Sequence, residues 1–276
     1  MEWNAYFLIG IFTGLTCSVM MMIEEFLIHE KRLLTDYFIK GSQERLQFGW
    51  FCFSGYSVIF ATLASLLTIH YGPGAVGSGI TELIAYLNGV NYPKLLSFEA
   101  LFTKIFGVIG AVVGNLCVGK EGPMAHIGAN IGVVVAYFPL PTFDYLRNDW
   151  KKRELIAAGV SAGVSTAFGA PVGGALFAYE MSNPNTFWDF AQLWKCFFSC
   201  TIAVLSVSIF RHLMVDGDIV NINSVADLKF TTNFVKSADL SQFPAAIIIG
   251  IICGCLGSLF IYINSNINIK RKKLIT

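Results

Sequence analysis

Apolar residues run along this chain in blocks, and the blocks fall into two length classes. Segments 5–28, 49–70, 187–210 and 244–263 stay apolar for 20 residues or more. At about 1.5 Å of rise per residue, a helix of that length crosses the roughly 30 Å hydrocarbon core of a bilayer. Between these runs lie mostly shorter blocks, at 78–87, 98–118, 121–138, 154–167 and 172–181. Glycine and proline interrupt them repeatedly, at Gly72-Pro73-Gly74, Gly77, Gly79, Gly119, Gly122-Pro123, Gly169-Ala170-Pro171 and Gly173-Gly174. Broken helices survive at membrane depth only where their freed backbone groups are buried in protein or line a cavity. They also point to a transport site. The pattern predicts an all-α, polytopic membrane bundle with short, broken re-entrant helices among full spans.

The polar segments set its limits. A charged linker containing His29, Glu30, Lys31, Arg32, Asp36, Lys40, Glu44 and Arg45 separates the first two spans. A second polar stretch, with Asp216, Asp218, Asp227 and Asp239, reads as a luminal or extracellular loop. Lys270, Arg271, Lys272 and Lys273 follow the last span and place that end in the cytoplasm by the positive-inside rule. The first block is not read as a signal peptide. No basic segment precedes it, no small-residue cleavage site follows it, and further spans come after.

Composition agrees with a bilayer. Of 276 residues, 55% are hydrophobic and 13% charged, against about 25% charged in soluble domains. The mean hydropathy is +0.62, and a soluble domain could not hide that much apolar surface from water. A net charge of +1 leaves no basic face for nucleic acid. The seven cysteines (Cys17, Cys52, Cys117, Cys196, Cys200, Cys253, Cys255) are odd in number and lie in apolar runs. They read as small buried hydrophobes, and without CxxC pairs or nearby histidines no metal site is expected. His29, His70, His126 and His212 are scattered, and no nucleophile–base set suggests an enzyme.

Three glycine-rich motifs carry the candidate chemistry. In Gly77-Ser78-Gly79-Ile80-Thr81-Glu82, two glycines flank a hydroxyl at the start of a short helix. Exposed N–H groups, a positive dipole end and the Ser78 hydroxyl suit a desolvated anion. An ordinary N-cap serine is the alternative. In Gly119-Lys120-Glu121-Gly122-Pro123, Pro123 suits a first helical turn and Gly122 permits close backbone approach. Glu121 then stands at a helix N-terminus between apolar runs, where an ionisable group is costly and marks function. Its charge would occupy the place of a permeating anion, and protonation would free that place. The alternative is that Glu121 pairs with Lys120 or caps the helix. The stretch from Gly114 to Lys120 also has phosphate-loop spacing, but Glu121 stands where Mg²⁺ binding needs Ser or Thr, and no strand precedes it. The third motif, at 163–180, holds Gly169-Ala170-Pro171-Val172-Gly173-Gly174. Its small residues permit close helix packing, with Glu180 the polar exception at its end.

In this order and at these separations, the motifs resemble the CLC family of chloride channels and chloride/proton exchangers. The family patterns GSGIP, GK(E/R)GP and GAPxGGxLFxxE correspond to 77–81, 119–123 and 169–180 here. The resemblance covers essentially the whole chain. It implies that 1–276 is the N-terminal half of a CLC membrane domain, one of its two inverted repeats. The second repeat, with its GxFxP half-helix and chloride-coordinating tyrosine, and any CBS pair would then be absent. It implies chloride transport in the manner of a voltage-gated chloride channel, with Glu121 as gate. Ser78, Gly79, Ile80, Gly122 and Pro123 would bind chloride, with Gly77, Gly119, Lys120 and Glu180 in support. No cofactor is implied beyond the chloride ion itself. The partners implied are the lipid bilayer and a second copy, as a homodimer with one pore per subunit, 172–181 and 187–210 contributing to the interface.

Two departures from the family pattern matter. Thr81 replaces a proline, so the helix start is less rigidly preset. Met181 stands where exchangers commonly carry the second of two adjacent glutamates, which passes protons. A thioether carries no proton, which favours a passive channel over a proton-coupled exchanger. The missing half leaves a third reading, a non-conducting half-protein that associates with full-length relatives.

Overall fold

The computed structural model describes residues 2–39, 46–92, 94–138, 145–182, 188–215 and 243–275. Among them the regular elements are helical: α1 (Glu2–Ile39), α2 (Leu46–His70), a 3₁₀ turn (Pro73–Ala75), α3 (Ile80–Leu87), α4 (Phe98–Val113), α5 (Glu121–Ala136), α6 (Asp149–Phe168), α7 (Pro171–Ser182), α8 (Phe190–Val215) and α9 (Phe243–Ile275). The chain divides into two units, Met1–Lys229 and Phe230–Thr276, the second represented by α9. Helices α1, α2, α8 and α9 are long and apolar enough to cross a membrane. By contrast α3 has 8 residues and α7 has 12. At about 12 Å, α3 spans well under half the hydrocarbon core.

Several boundaries differ from the sequence expectation, each for a physical reason. The charged stretch after residue 28 is mostly helix, because α1 continues to Ile39. Its Lys31 is buried rather than solvated: Nζ donates to the Val113 carbonyl at the end of α4 (3.2 Å) and lies 3.9 Å over the Phe53 ring. A cation there complements the negative end of α4. That helix stops at Val113 rather than 118, closed by Gly114. Helix α6 starts five residues before 154, where Asn148 caps it by accepting the Trp150 N–H. Helix α8 runs on to Val215, past 210. Lys270–Lys273 belong to the last turns of α9 instead of following it, since Lys and Arg are good helix formers that also offset the C-terminal dipole. Asp216, Asp218, Asp227 and Asp239 lie outside the described residues.

Helix α6 is the centre of the first unit. It has few large apolar side chains, yet residues from Glu154 to Thr166 are buried all round. Small residues make this possible by letting backbones touch. Gly128 of α5 and Gly159 of α6 face each other so closely that a Cβ on either would strike the other's carbonyl. The Ser161 carbonyl of α6 stands where a Cβ on Gly174 of α7 would come within 2.5 Å of it. Gly169, at φ +66°, closes α6, and Pro171 opens α7 two residues later.

A polar network joins α1, α6 and α8 at one end of the core. Buried Glu154 accepts from Trp150 Nε1 (2.9 Å) and from Lys151 Nζ (3.0 and 3.2 Å). The Tyr6 hydroxyl donates to Gln192 Oε1 (2.9 Å), and Gln192 Nε2 donates to the Glu154 carbonyl (2.8 Å). Lys195 completes it with an ion pair to Glu2 (2.8 Å). Cys17, Cys196 and Cys200 are buried as small hydrophobes and Cys52 is partly so, whereas Cys117, on the turn after α4, and Cys253 and Cys255, on α9, are exposed.

Candidate functional site: two uncapped helix ends around one cavity

Helix α3 begins after a turn in which Gly77 (φ +71°) and Gly79 (φ +83°) adopt the left-handed conformation that favours glycine. Gly79 is the N-cap and offers no side chain, so Ser78 is not the capping serine that the sequence left open. The Leu83 N–H is the first to bond back, to the Gly79 carbonyl at 3.0 Å. The Ile80, Thr81 and Glu82 amides have no acceptor among the described residues. Helix α5 repeats the arrangement. Its N-cap, Lys120, makes no side-chain capping bond, and the Met124 N–H to the Lys120 carbonyl (2.9 Å) is the first closed turn. Pro123 has no N–H, which leaves the Glu121 and Gly122 amides free among the described residues.

The two helix ends meet. The Ser78 hydroxyl packs directly against Gly122, so that a Cβ there would push the hydroxyl aside, and Ile80 Cδ1 lies beside it. Ser78, Ile80, Glu121, Gly122 and Pro123 line a cavity of about 770 Å³. Its other walls come from α2, through Ala61, Ala64 and Thr68, and from α4, through Thr103, Lys104 and Gly107. Gly77 and Gly119 border it as well. Gly79 turns its back to the cavity and lies against the ring of His126, one turn into α5. His126 Nε2 donates to the Leu95 carbonyl (2.9 Å), leaving buried Nδ1 without a partner on the Gly79 side. Each uncapped N-terminus acts as about half a positive charge, so the cavity wall presents two such ends and a hydroxyl.

Glu121 sits at the rim of this wall. Its carboxylate folds against Gly119 and makes no hydrogen bond or ion pair among the described residues. Pairing with Lys120, which the sequence left open, does not occur. Lys120 turns instead to Glu24 on α1, at 3.6 Å. Adjacent residues on a helix diverge by roughly 100°, which carries the two side chains to opposite neighbours. Met181 is buried with Leu83, Leu87, Ala125 and Val160, while Glu180 is exposed, and neither lines the cavity. The segment before Lys120 is helix α4, not the strand a phosphate loop requires. Among the described residues no group of His, Cys, Asp and Glu could hold a metal ion. Sequence reasoning overlooked Lys104, a buried cation inside the apolar run 98–118. A charge in the middle of such a run was its signal.

The profile of the family described as voltage gated chloride channel matches residues 60–276. Chloride channel protein CLC-a of Arabidopsis thaliana is 34% identical over 271 residues, covering 94% of this chain and 34% of that protein. H(+)/Cl(-) exchange transporter 7 of Homo sapiens is 32% identical over 274 residues, covering 95% of this chain and 34% of the transporter. The chain therefore spans about a third of the length of these relatives. Among solved structures, a slow cyanobacterial Cl⁻/H⁺ antiporter is similar with a TM-score of 0.70 at 22% identity, over 93% of this chain and 54% of that one. A eukaryotic CLC transporter gives 0.66 at 23% identity, over 76% and 38%. At these identities the likeness is one of fold.

Proposed function

This chain belongs to the CLC family of voltage gated chloride channels, and from that premise we propose that it forms an anion path bound at the α3–α5 cradle and gated by Glu121. One observation carries the reading: two uncapped helix N-termini and a serine hydroxyl face one cavity, with an unpaired carboxylate at its rim. Chloride entering the site would exchange water for the N–H groups of α3 and α5 and for the Ser78 hydroxyl. Partial charges bind such an ion well enough to dehydrate it and weakly enough to release it. The ionised Glu121 carboxylate competes for the same donors. Protonation removes its charge, and with no partner to hold it the side chain swings aside.

Met181 favours passive conduction, since the residue carries no proton and is packed in the core. Coupled exchange is the second reading, supported by the likeness to an H(+)/Cl(-) exchange transporter. In α7, Val172, Leu176 and Tyr179 form an exposed apolar stripe. The homodimer implied by the family would cover it with a second copy.

Reconstitution into liposomes tests the proposal. Chloride efflux is expected to rise as the medium is acidified, and Glu121→Gln to conduct at every pH. No uphill proton movement should accompany a chloride gradient. A Glu121→Gln protein that keeps the wild-type pH response removes the gate from Glu121, and stoichiometric proton movement establishes exchange instead. Absence of anion flux from every variant overturns transport by this chain.

A further inference from the structure

We propose that Gly119 is a positioning residue for the gate, the berth into which the Glu121 carboxyl withdraws when it leaves the anion donors. The inference rests on the gate reading above and adds a residue to it. Gly119 lies in the turn between α4 and α5, two residues ahead of Glu121. A Cβ on Gly119 would overlap Glu121 Oε2 and lie 3.4 Å from Cδ and 3.9 Å from Oε1. These are the three nearest atoms it would meet, so the carboxyl fills the space of the missing side chain.

Other glycines of this unit are glycine for other reasons. Gly77, Gly79 and Gly169 hold positive φ, and Gly128 and Gly159 abut each other's backbone. Neither reason applies to Gly119. Its φ lies outside the left-handed region, so its backbone would accept alanine. No backbone atom is among the three nearest to its Cβ position. In this folded position the carboxyl accepts no hydrogen bond among the described residues, not even from the free Glu121 and Gly122 amides. The charges around it are committed elsewhere. Lys104 is the other charged residue lining the cavity among the described residues. Its Nζ donates to the Ala75 carbonyl at 2.8 Å and the Gly77 carbonyl at 2.7 Å. Lys120 pairs with Glu24, and on α3 Glu82 accepts the Thr81 hydroxyl. Space, not an ion pair, therefore holds the carboxyl at Gly119. This arrangement leaves the amides to an anion, which is what an open path requires. A methyl at position 119 fills the berth and returns the carboxyl to the donors, where it competes with chloride.

The test is a double-mutant cycle of Gly119→Ala and Glu121→Ala in the reconstituted protein. Chloride flux is read against pH, and Tm is read for each variant. Overlap with a methyl disfavours the withdrawn conformer, so Gly119→Ala should cut flux at acid pH at least about tenfold. With Glu121→Ala there is no carboxyl to house, and adding Gly119→Ala should leave flux within about twofold of Glu121→Ala alone. Equal loss in both backgrounds would mean that the methyl obstructs the path itself, and the inference falls. It falls too if Gly119→Ala keeps wild-type flux, or raises flux at neutral pH, which would make the berth the closed position. Should Gly119→Ala not fold alone, the double variant decides: folded and conducting, it supports the overlap, and unfolded, it overturns it. If wild type carries no chloride, or Glu121→Ala still closes normally, the gate reading fails first and takes the berth with it. If Glu121→Ala stays open at every pH and Gly119→Ala changes nothing in either background, only the berth fails.

Discussion

Gly159→Ala isolates the contact on which the first unit is built. The new methyl would project from α6 into the backbone of α5. It would strike the Gly128 carbonyl oxygen and lie 2.7 Å from the Gly128 carbonyl carbon, about 0.7 Å inside the 3.4 Å where ordinary contact begins. Neither obstructing atom belongs to a side chain that could rotate away, so the two helices must separate. Overpacking of this kind costs about 1–3 kcal/mol, and backbone on both sides puts this case at the upper end. For a chain of this size each kcal/mol lowers Tm by about 2–4 °C. The expected fall is therefore about 5–10 °C in a thermal unfolding scan in detergent. Gly107→Ala is the matched control. Its methyl would meet only Thr68 Oγ1, at 3.6 Å, and gains up to about 1 kcal/mol of helix propensity, so Tm should hold or rise. Equal shifts for the two substitutions would refute the argument that the α5–α6 backbone contact carries the core.

Two more predictions follow from the same geometry. Gly122→Ala places a methyl against the Ser78 hydroxyl, at a site where both residues border an open cavity. Chloride flux should fall at least about tenfold while Tm drops by no more than about 4 °C, and unaltered flux would separate Gly122 from the anion path. Glu154→Gln leaves Lys151 and Lys195 with Glu2 as their remaining carboxylate. A loss of about 1–3 kcal/mol is expected from breaking this half-buried network, read as a lower Tm, and an unshifted melting curve at low salt would show the network to be idle.

Much of the membrane architecture was legible because block length and chain breaks are local properties. Runs of 20 or more apolar residues marked α1, α2, α8 and α9, and Gly-Pro clusters marked where the short helices begin. Helix α6 was harder to read. Its residues are small rather than greasy, and its burial comes from backbone contact with α5 and α7, not from large side chains. Lys31 and Lys104 were misread or passed over for a related reason. A charge in sequence looks solvated or out of place until the carbonyls that receive it are known, and those lie 82 and 27 to 29 residues away.

The candidate site divides the same way. That Ser78, Glu121 and Gly122 stand at helix starts followed from glycine and proline spacing, which acts within one turn of chain. Only the tertiary structure set Ser78 against Gly122, turned Lys120 to Glu24 and away from Glu121, and brought Lys104 beneath the turn. Backbone conformation answers to near neighbours, whereas a side chain's partner depends on which helices pack together. The membrane class and the broken helices were therefore decided by sequence, and the electrostatics of the cradle by packing.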